Sequence, residues 1–168
     1  MPAWADDTLD RGVGSEWSSL DPHVNFDAAA GWIQSDAYEG LVNYDSKGQI
    51  IPGAAESWET SPDGLTYTFH LREGLKWSNG DPLVAQDFVN GIIRTLNPET
   101  TTEKGYYFYS TTQVKGAEAF GTGESKDPAS VGVSAPDDKT VVVQLVTPAP
   151  FLLDLMGSFQ VTPLHGPS

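Results

Sequence analysis

"YEGLVNYDSKGQIIPGAAESWETSPDGLTYTFHLREGLKWSNGDPLVAQDF" occupies residues 38–88 and carries the densest turn chemistry in the chain. Within it "AESWET" and "LTYTFHL" flank "SPDG", with Pro62 and Asp63 at the turn centre and Gly64 after them. Proline presets φ, aspartate bonds nearby backbone and glycine takes a positive φ, so the segment predicts a β-hairpin. Along its second arm Leu65, Tyr67, Phe69 and Leu71 share one face, while Thr66, Thr68, His70 and Arg72 share the other. Strand side chains alternate, so one face packs and the other is wet. A further turn at Asn79-Gly80 precedes Val84, Phe88, Ile92 and Leu96 at four-residue spacing, with Val89 and Ile93 widening the stripe. That pattern predicts an amphipathic helix, closed by Pro98.

On the N-terminal side, Asn25 or Asp27 caps a helix through "AAAGWIQSDAYEG" that stops at Gly40. Leu41 to Tyr44 and Gln49 to Ile51 are short strands joined by "DSKG". Earlier still, "TLDRGVGSEWSSLDP" reads as a short strand running into a loop that Pro22 ends. On the C-terminal side, "TTEKGYYFYSTTQVKGAEAFGTGESKDP" is rich in Gly, Ser and Thr with weak periodicity, and is expected to be loop with a turn or two of helix. "VGVSAPDDKTVVVQLVTPAP" predicts a second hairpin around Pro136-Asp137-Asp138, and "FLLDLMGSF" a short apolar helix. The fold class is therefore mixed α/β.

The 168 residues suffice for roughly one domain. A formal net charge of −14 disfavours nucleic-acid phosphates and anionic lipid as partners, and no apolar run is long enough to span a bilayer. The absence of cysteine excludes disulfides, thiolate metal sites and cysteine nucleophiles within these residues, and no lipid-modified N-terminal cysteine is expected. Ala3-Trp4-Ala5 followed by Asp6 and Asp7 matches a signal-peptidase site, so residues 1–7 are expected to be the stub left by export.

Catalytic chemistry is hard to find. His23, His70 and His165 are far apart and form no H-E-x-x-H pattern, and no G-x-S-x-G elbow occurs. "GTGESK" (121–126) has the wrong spacing for a phosphate loop, and Asp137-Asp138 lacks the alternating oxygens of a calcium loop. The residues leave open only a carboxylate pair assembled by the fold, as in a hydrolase or transferase. Neither cofactor nor metal is expected. Trp58, Tyr67, Phe69, Trp77 and Phe88 read as packing for a stiff scaffold.

"SLDPH" (19–23), "YEGLVNYD" (38–45), the block from Pro52 to Phe88 and "LNPET" (96–100) closely resemble the oligopeptide-binding members of the family 5 extracellular solute-binding proteins, the receptors of ABC importers. A looser resemblance continues through residues 131–156. It implies the N-terminal part of a type II periplasmic-binding-protein fold with an extra small subdomain. Residues 8–41 would form the first strand and helix of one lobe, 42–150 the small subdomain, and 151–168 the start of the return. It also implies a periplasmic receptor that hands peptides to a membrane permease and is monomeric at full length. By the same resemblance Glu39 presents its carboxylate near the ligand, and the backbone at Gly40 and Leu41 pairs with an extended peptide by strand addition. A tyrosine of the cluster Tyr106, Tyr107, Phe108 and Tyr109 also faces ligand, with Tyr107 and Tyr109 the candidates. Trp32 and Asn43 are weaker ones. Family members are much longer, so the chain is expected to be an N-terminal fragment without the opposing lobe. Receptors for dipeptides, nickel, opines or sugars share this scaffold, and a stand-alone interaction module is the further alternative.

Overall fold

A computed structural model describes residues 12, 14–24, 27–100, 103–157 and 161–166. Helix α1 spans Ala28–Ala37 and leads into a small antiparallel pair, β1 (Val42–Tyr44) and β2 (Ile50–Pro52). The predicted hairpin follows as β3 (Ala55–Thr60) and β4 (Thr66–Leu71). At its turn the Asp63 carboxylate accepts from Leu65 N–H at 3.0 Å and from the Ser61 hydroxyl, while Gly64 takes φ +70°. Three helices come next, α2 (Ala85–Leu96), α3 (Glu103–Thr112) and α4 (Ala117–Gly121), then a 3-10 turn at Pro128–Ser130. The second hairpin, β5 (Val133–Asp137) and β6 (Thr140–Gln144), and helix α5 (Leu152–Met156) complete the order.

The main sheet runs β3-β4-β6-β5, all antiparallel. β4 therefore pairs across the inserted helices with β6, Phe69 opposite Val141 and Tyr67 opposite Val143. Tyr67, Phe69 and Leu71 are buried and Thr66, Thr68 and His70 are half-buried, as the alternation predicts. Helix α2 covers the packed face with Phe88, Val89, Ile92 and Leu96. Phe69, Phe88, Ile92 and Leu96 have no exposed surface, and each such side chain contributes roughly 1.5–3 kcal/mol on leaving water. Pro136 lies on edge strand β5, where a missing N–H removes no inner ladder bond.

Several expectations shift. The residues expected to be loop form α3 and α4, because Phe108 and Phe120 are buried in the same core and reward helix despite weak local propensity. Asp27 is the cap of α1, accepting from Ala30 N–H at 2.8 Å, whereas Asn25 lies outside the described residues. The helix ends at Ala37, three residues before Gly40, with Tyr38 already extended. The second hairpin turns at Asp138-Lys139, one residue later than expected, because Asp137 remains in β5 and accepts from Lys139 N–H at 2.8 Å. The strand expected to open residues 8–22 falls largely outside the described residues, as does the export stub, and residues 14–24 contain no strand.

Asp87, buried in the first turn of α2, accepts from Val84 N–H at 3.1 Å and from the Trp77 indole N–H at 2.9 Å. Asp87→Ala should therefore cost about 1–2 kcal/mol, from a lost helix cap and a stranded indole donor. A urea midpoint unchanged at constant slope would contradict this.

Candidate ligand-binding site

Tyr38, at the exit of α1, lines three adjoining hollows. The largest of the three, about 650 Å³, is lined by Tyr38, Glu39, Ala54, Arg72, Lys76, Trp77 and Leu83. A second, about 290 Å³, includes Gly40, Asn43 and Tyr44, and a third, about 430 Å³, includes Asp21, His23, Arg94 and Trp77.

Two glycines bring the chain close enough to build these walls. A Cβ on Gly40 would lie 2.8 Å from the Met156 carbonyl oxygen, and one on Gly53 2.8 Å from the Gly40 carbonyl oxygen. With neither Cβ present, Ala54 N–H donates to Gly40 O at 3.0 Å and Ala55 N–H to Leu41 O at 2.9 Å. The Gly40–Leu41 backbone is thus pinned to the start of β3, and Leu41 is fully buried. Its carbonyl is already engaged inside the fold, so a peptide strand added there must share that oxygen or use a neighbouring group. Arg72, at the end of β4, completes the wall. Its Nη2 donates to Glu39 Oε2 at 2.5 Å and its Nε to Gly53 O at 3.2 Å.

A partly buried charged cluster surrounds the third hollow. Arg94 donates both Nη atoms to Asp21, at 2.7 and 2.6 Å, which holds the Asp21 carboxyl down at about 2 and raises the guanidinium. Arg94 Nη1 also lies 2.9 Å from His23 Nδ1. A guanidinium only donates, so Nδ1 is the acceptor and His23 carries its proton on Nε2, donating to Thr162 O at 3.0 Å. Burial lowers the His23 pKa, and the Thr162 carbonyl partly opposes the shift. Lys104 has no exposed surface; its ammonium donates to Pro22 O, and burial lowers it to about 8.

The other expected site residues fall elsewhere. Tyr107 is exposed on α3, and Tyr109 packs over Gly121 with its ring 5.6 Å from that of Tyr106, edge to face. Neither lines these three hollows. Trp32 is exposed on α1, and Asn43 lines the second hollow. Arg72, Tyr38 and the Asp21–His23–Arg94–Lys104 cluster escaped the sequence reading. Arg72 shows only as the last polar residue of a wet strand face, and the cluster joins residues more than seventy positions apart. Among the described residues no group of three His, Asp or Glu side chains is arranged to hold a metal, and no helix is long and apolar enough to cross a membrane.

Residues 49–166 match the family model for the middle region of bacterial extracellular solute-binding proteins, family 5. The chain is 42% identical to the periplasmic oligopeptide-binding protein OppA of Haemophilus influenzae over 151 residues, which is 90% of this chain and 28% of that protein. It is 39% identical to a probable deoxycholate-binding periplasmic protein, YgiS, of Escherichia coli, covering 84% of this chain and 26% of that one. The crystal structure of Haemophilus influenzae OppA in complex with the peptide RPPGFSPFR is similar with a TM-score of 0.81, covering 90% of this chain and 29% of that chain. The chain thus spans somewhat over a quarter of the length of the relatives it matches, and its mixed α/β architecture is that of periplasmic binding proteins.

Proposed function

Because the chain belongs to the bacterial extracellular solute-binding proteins of family 5, we propose that it is part of a periplasmic receptor that binds oligopeptides and delivers them to an ABC permease. The observation that carries this reading is the 42% identity, across 90% of the chain, to an oligopeptide-binding protein whose fold matches this one and whose structure holds a peptide. Residues 42–150 act as the small subdomain of that receptor. Binding requires walls and hydrogen-bond partners, with no bond made or broken, so the protein works without a cofactor and without catalysis.

Glu39 and Gly40 form the ligand-facing wall, with Leu41 beneath them holding its backbone in place. On this reading Tyr107 and Tyr109 of α3 also face ligand in the complete receptor, apart from the three hollows. In the full-length receptor Glu39→Ala should weaken binding of peptides with a basic side chain about threefold to fivefold, the upper range for a half-exposed charged contact that Arg72 already shares. Neutral peptides of equal length should change by less than about twofold, since an exposed charge alone is worth little. Isothermal titration calorimetry measures both. Equal affinities for wild type and variant across the peptide set would remove Glu39 from the site.

A second reading, a receptor of the same family for a different solute, is favoured by the 39% identity to a probable deoxycholate-binding protein. Calorimetry with deoxycholate in place of peptide separates the two: saturable heat with the bile acid and none with peptides would decide for the second.

A further inference from the structure

We propose that Arg72 is a specificity-determining residue which holds Glu39 and cancels its charge, so that the receptor accepts neutral side chains at this wall instead of demanding basic ones. This rests on the peptide-receptor reading above. Three observations lead to it. Arg72 and Glu39 meet at 2.5 Å and both line the largest of the three hollows, so the pair lies where a ligand side chain would enter. Arg72 is aimed by the fold as well as by the carboxylate, because its own N–H donates to Ala54 O at 3.0 Å and its Nε to Gly53 O. Both side chains remain about 40% exposed, 43% for Arg72 and 40% for Glu39.

That exposure decides how the pair behaves. A half-exposed ion pair changes an equilibrium by a factor of about five at most, so a cation on the ligand can displace Arg72 from Glu39 but must compete to do so. In a chain of net charge −14, an uncovered carboxylate on a concave wall would draw basic side chains. Arg72, with Lys76 lining the same hollow, makes the local balance two bases to one acid, the reverse of the whole chain. Discrimination against one class of ligand is here a matter of an internal competitor already in place. Arg72 acts through Glu39, and is a positioning residue for it.

The test uses the full-length receptor and two probes, trialanine and the tripeptide with lysine at its centre, with the ratio of their dissociation constants as the readout. Arg72→Gln should move that ratio toward the lysine peptide by about threefold to fivefold. Arg72→Lys, which keeps the charge, should leave the ratio near wild type and covers the case in which the glutamine variant folds poorly. In a Glu39→Gln background Arg72→Gln should leave the ratio unmoved, as required of two residues that act as one unit. An unmoved ratio in the single variant overturns the proposal. So does a shift that persists without the Glu39 carboxylate, since Arg72 would then meet the ligand directly. If folded wild type binds neither peptide, the peptide reading itself fails, and the inference with it.

Discussion

Gly91→Ala should destabilise the chain by about 2–3 kcal/mol, although alanine is the better helix former at an interior position of α2 by about 1 kcal/mol. The sign reverses because of what lies beyond the helix. A Cβ at residue 91 would fall 2.0 Å from the carbonyl oxygen of Thr162 and 3.1 Å from His23 Nε2. The first is a backbone atom and cannot swing aside as a side-chain tip could. Residues 161–166 would have to lift from α2, straining the Leu164 N–H bond to Asp87 O at 2.9 Å and the His23 bond to Thr162 O. Overpacking of this kind costs typically 1–3 kcal/mol and each lost hydrogen bond about 1 more, which outweighs the helix gain. Urea unfolding of the two proteins measures it directly. A variant as stable as wild type or more so would mean that the 161–166 segment does not rest on Gly91.

The second large effect belongs to Lys104 and is read against pH. Burial lowers its ammonium from the ordinary 10.5 to about 8. Between those values the unfolded chain holds a proton that the folded chain has given up. Unfolding therefore takes up a proton there, and the unfolding free energy rises with pH from about 8 until it levels near 10.5. Below about 8 both states are charged, and the folded state bears the full cost of an ammonium held away from water. An ammonium lowered from 10.5 to about 8 corresponds to roughly 3 kcal/mol. Lys104→Met removes the titrating group, so the stability of wild type minus that of the variant should increase by roughly 3 kcal/mol between pH 7 and 10.5. Other groups that titrate in this range are common to both proteins and cancel in the difference. Two parallel stability curves would show that the Lys104 ammonium meets water in the folded protein.

These predictions also mark where local reading stops. The β3–β4 hairpin was legible because its determinants, Pro62, Asp63, Gly64 and the Tyr67–Phe69–Leu71 alternation, all act within a dozen residues. Helix α2 was legible for the same reason, through Phe88, Ile92 and Leu96. Helix α3 was not. Gly105, Ser110, Thr111 and Thr112 argue against helix locally, and the burial of Phe108 that overrides them depends on neighbours supplied by α2 and α4. At the candidate site, Glu39 and Gly40 could be marked from the "YEGLV" resemblance, and they do line hollows. The partner of Glu39, Arg72, lies thirty-three residues away and carries no signal of its own.

The sequence by itself determined the hairpin, the α2 stripe, the mixed α/β class and the family, since periodicity, turn chemistry and a long specific motif are written along the chain. Only the tertiary structure decided that β4 pairs with β6, that His23 and Lys104 are buried against Arg94 and Pro22, and that Arg72 covers Glu39. The physical reason is one of range. Local propensities are set by neighbours a few positions off, whereas these contacts join residues 33 to 82 positions apart. Their existence depends on which long loops the packed core can afford to close.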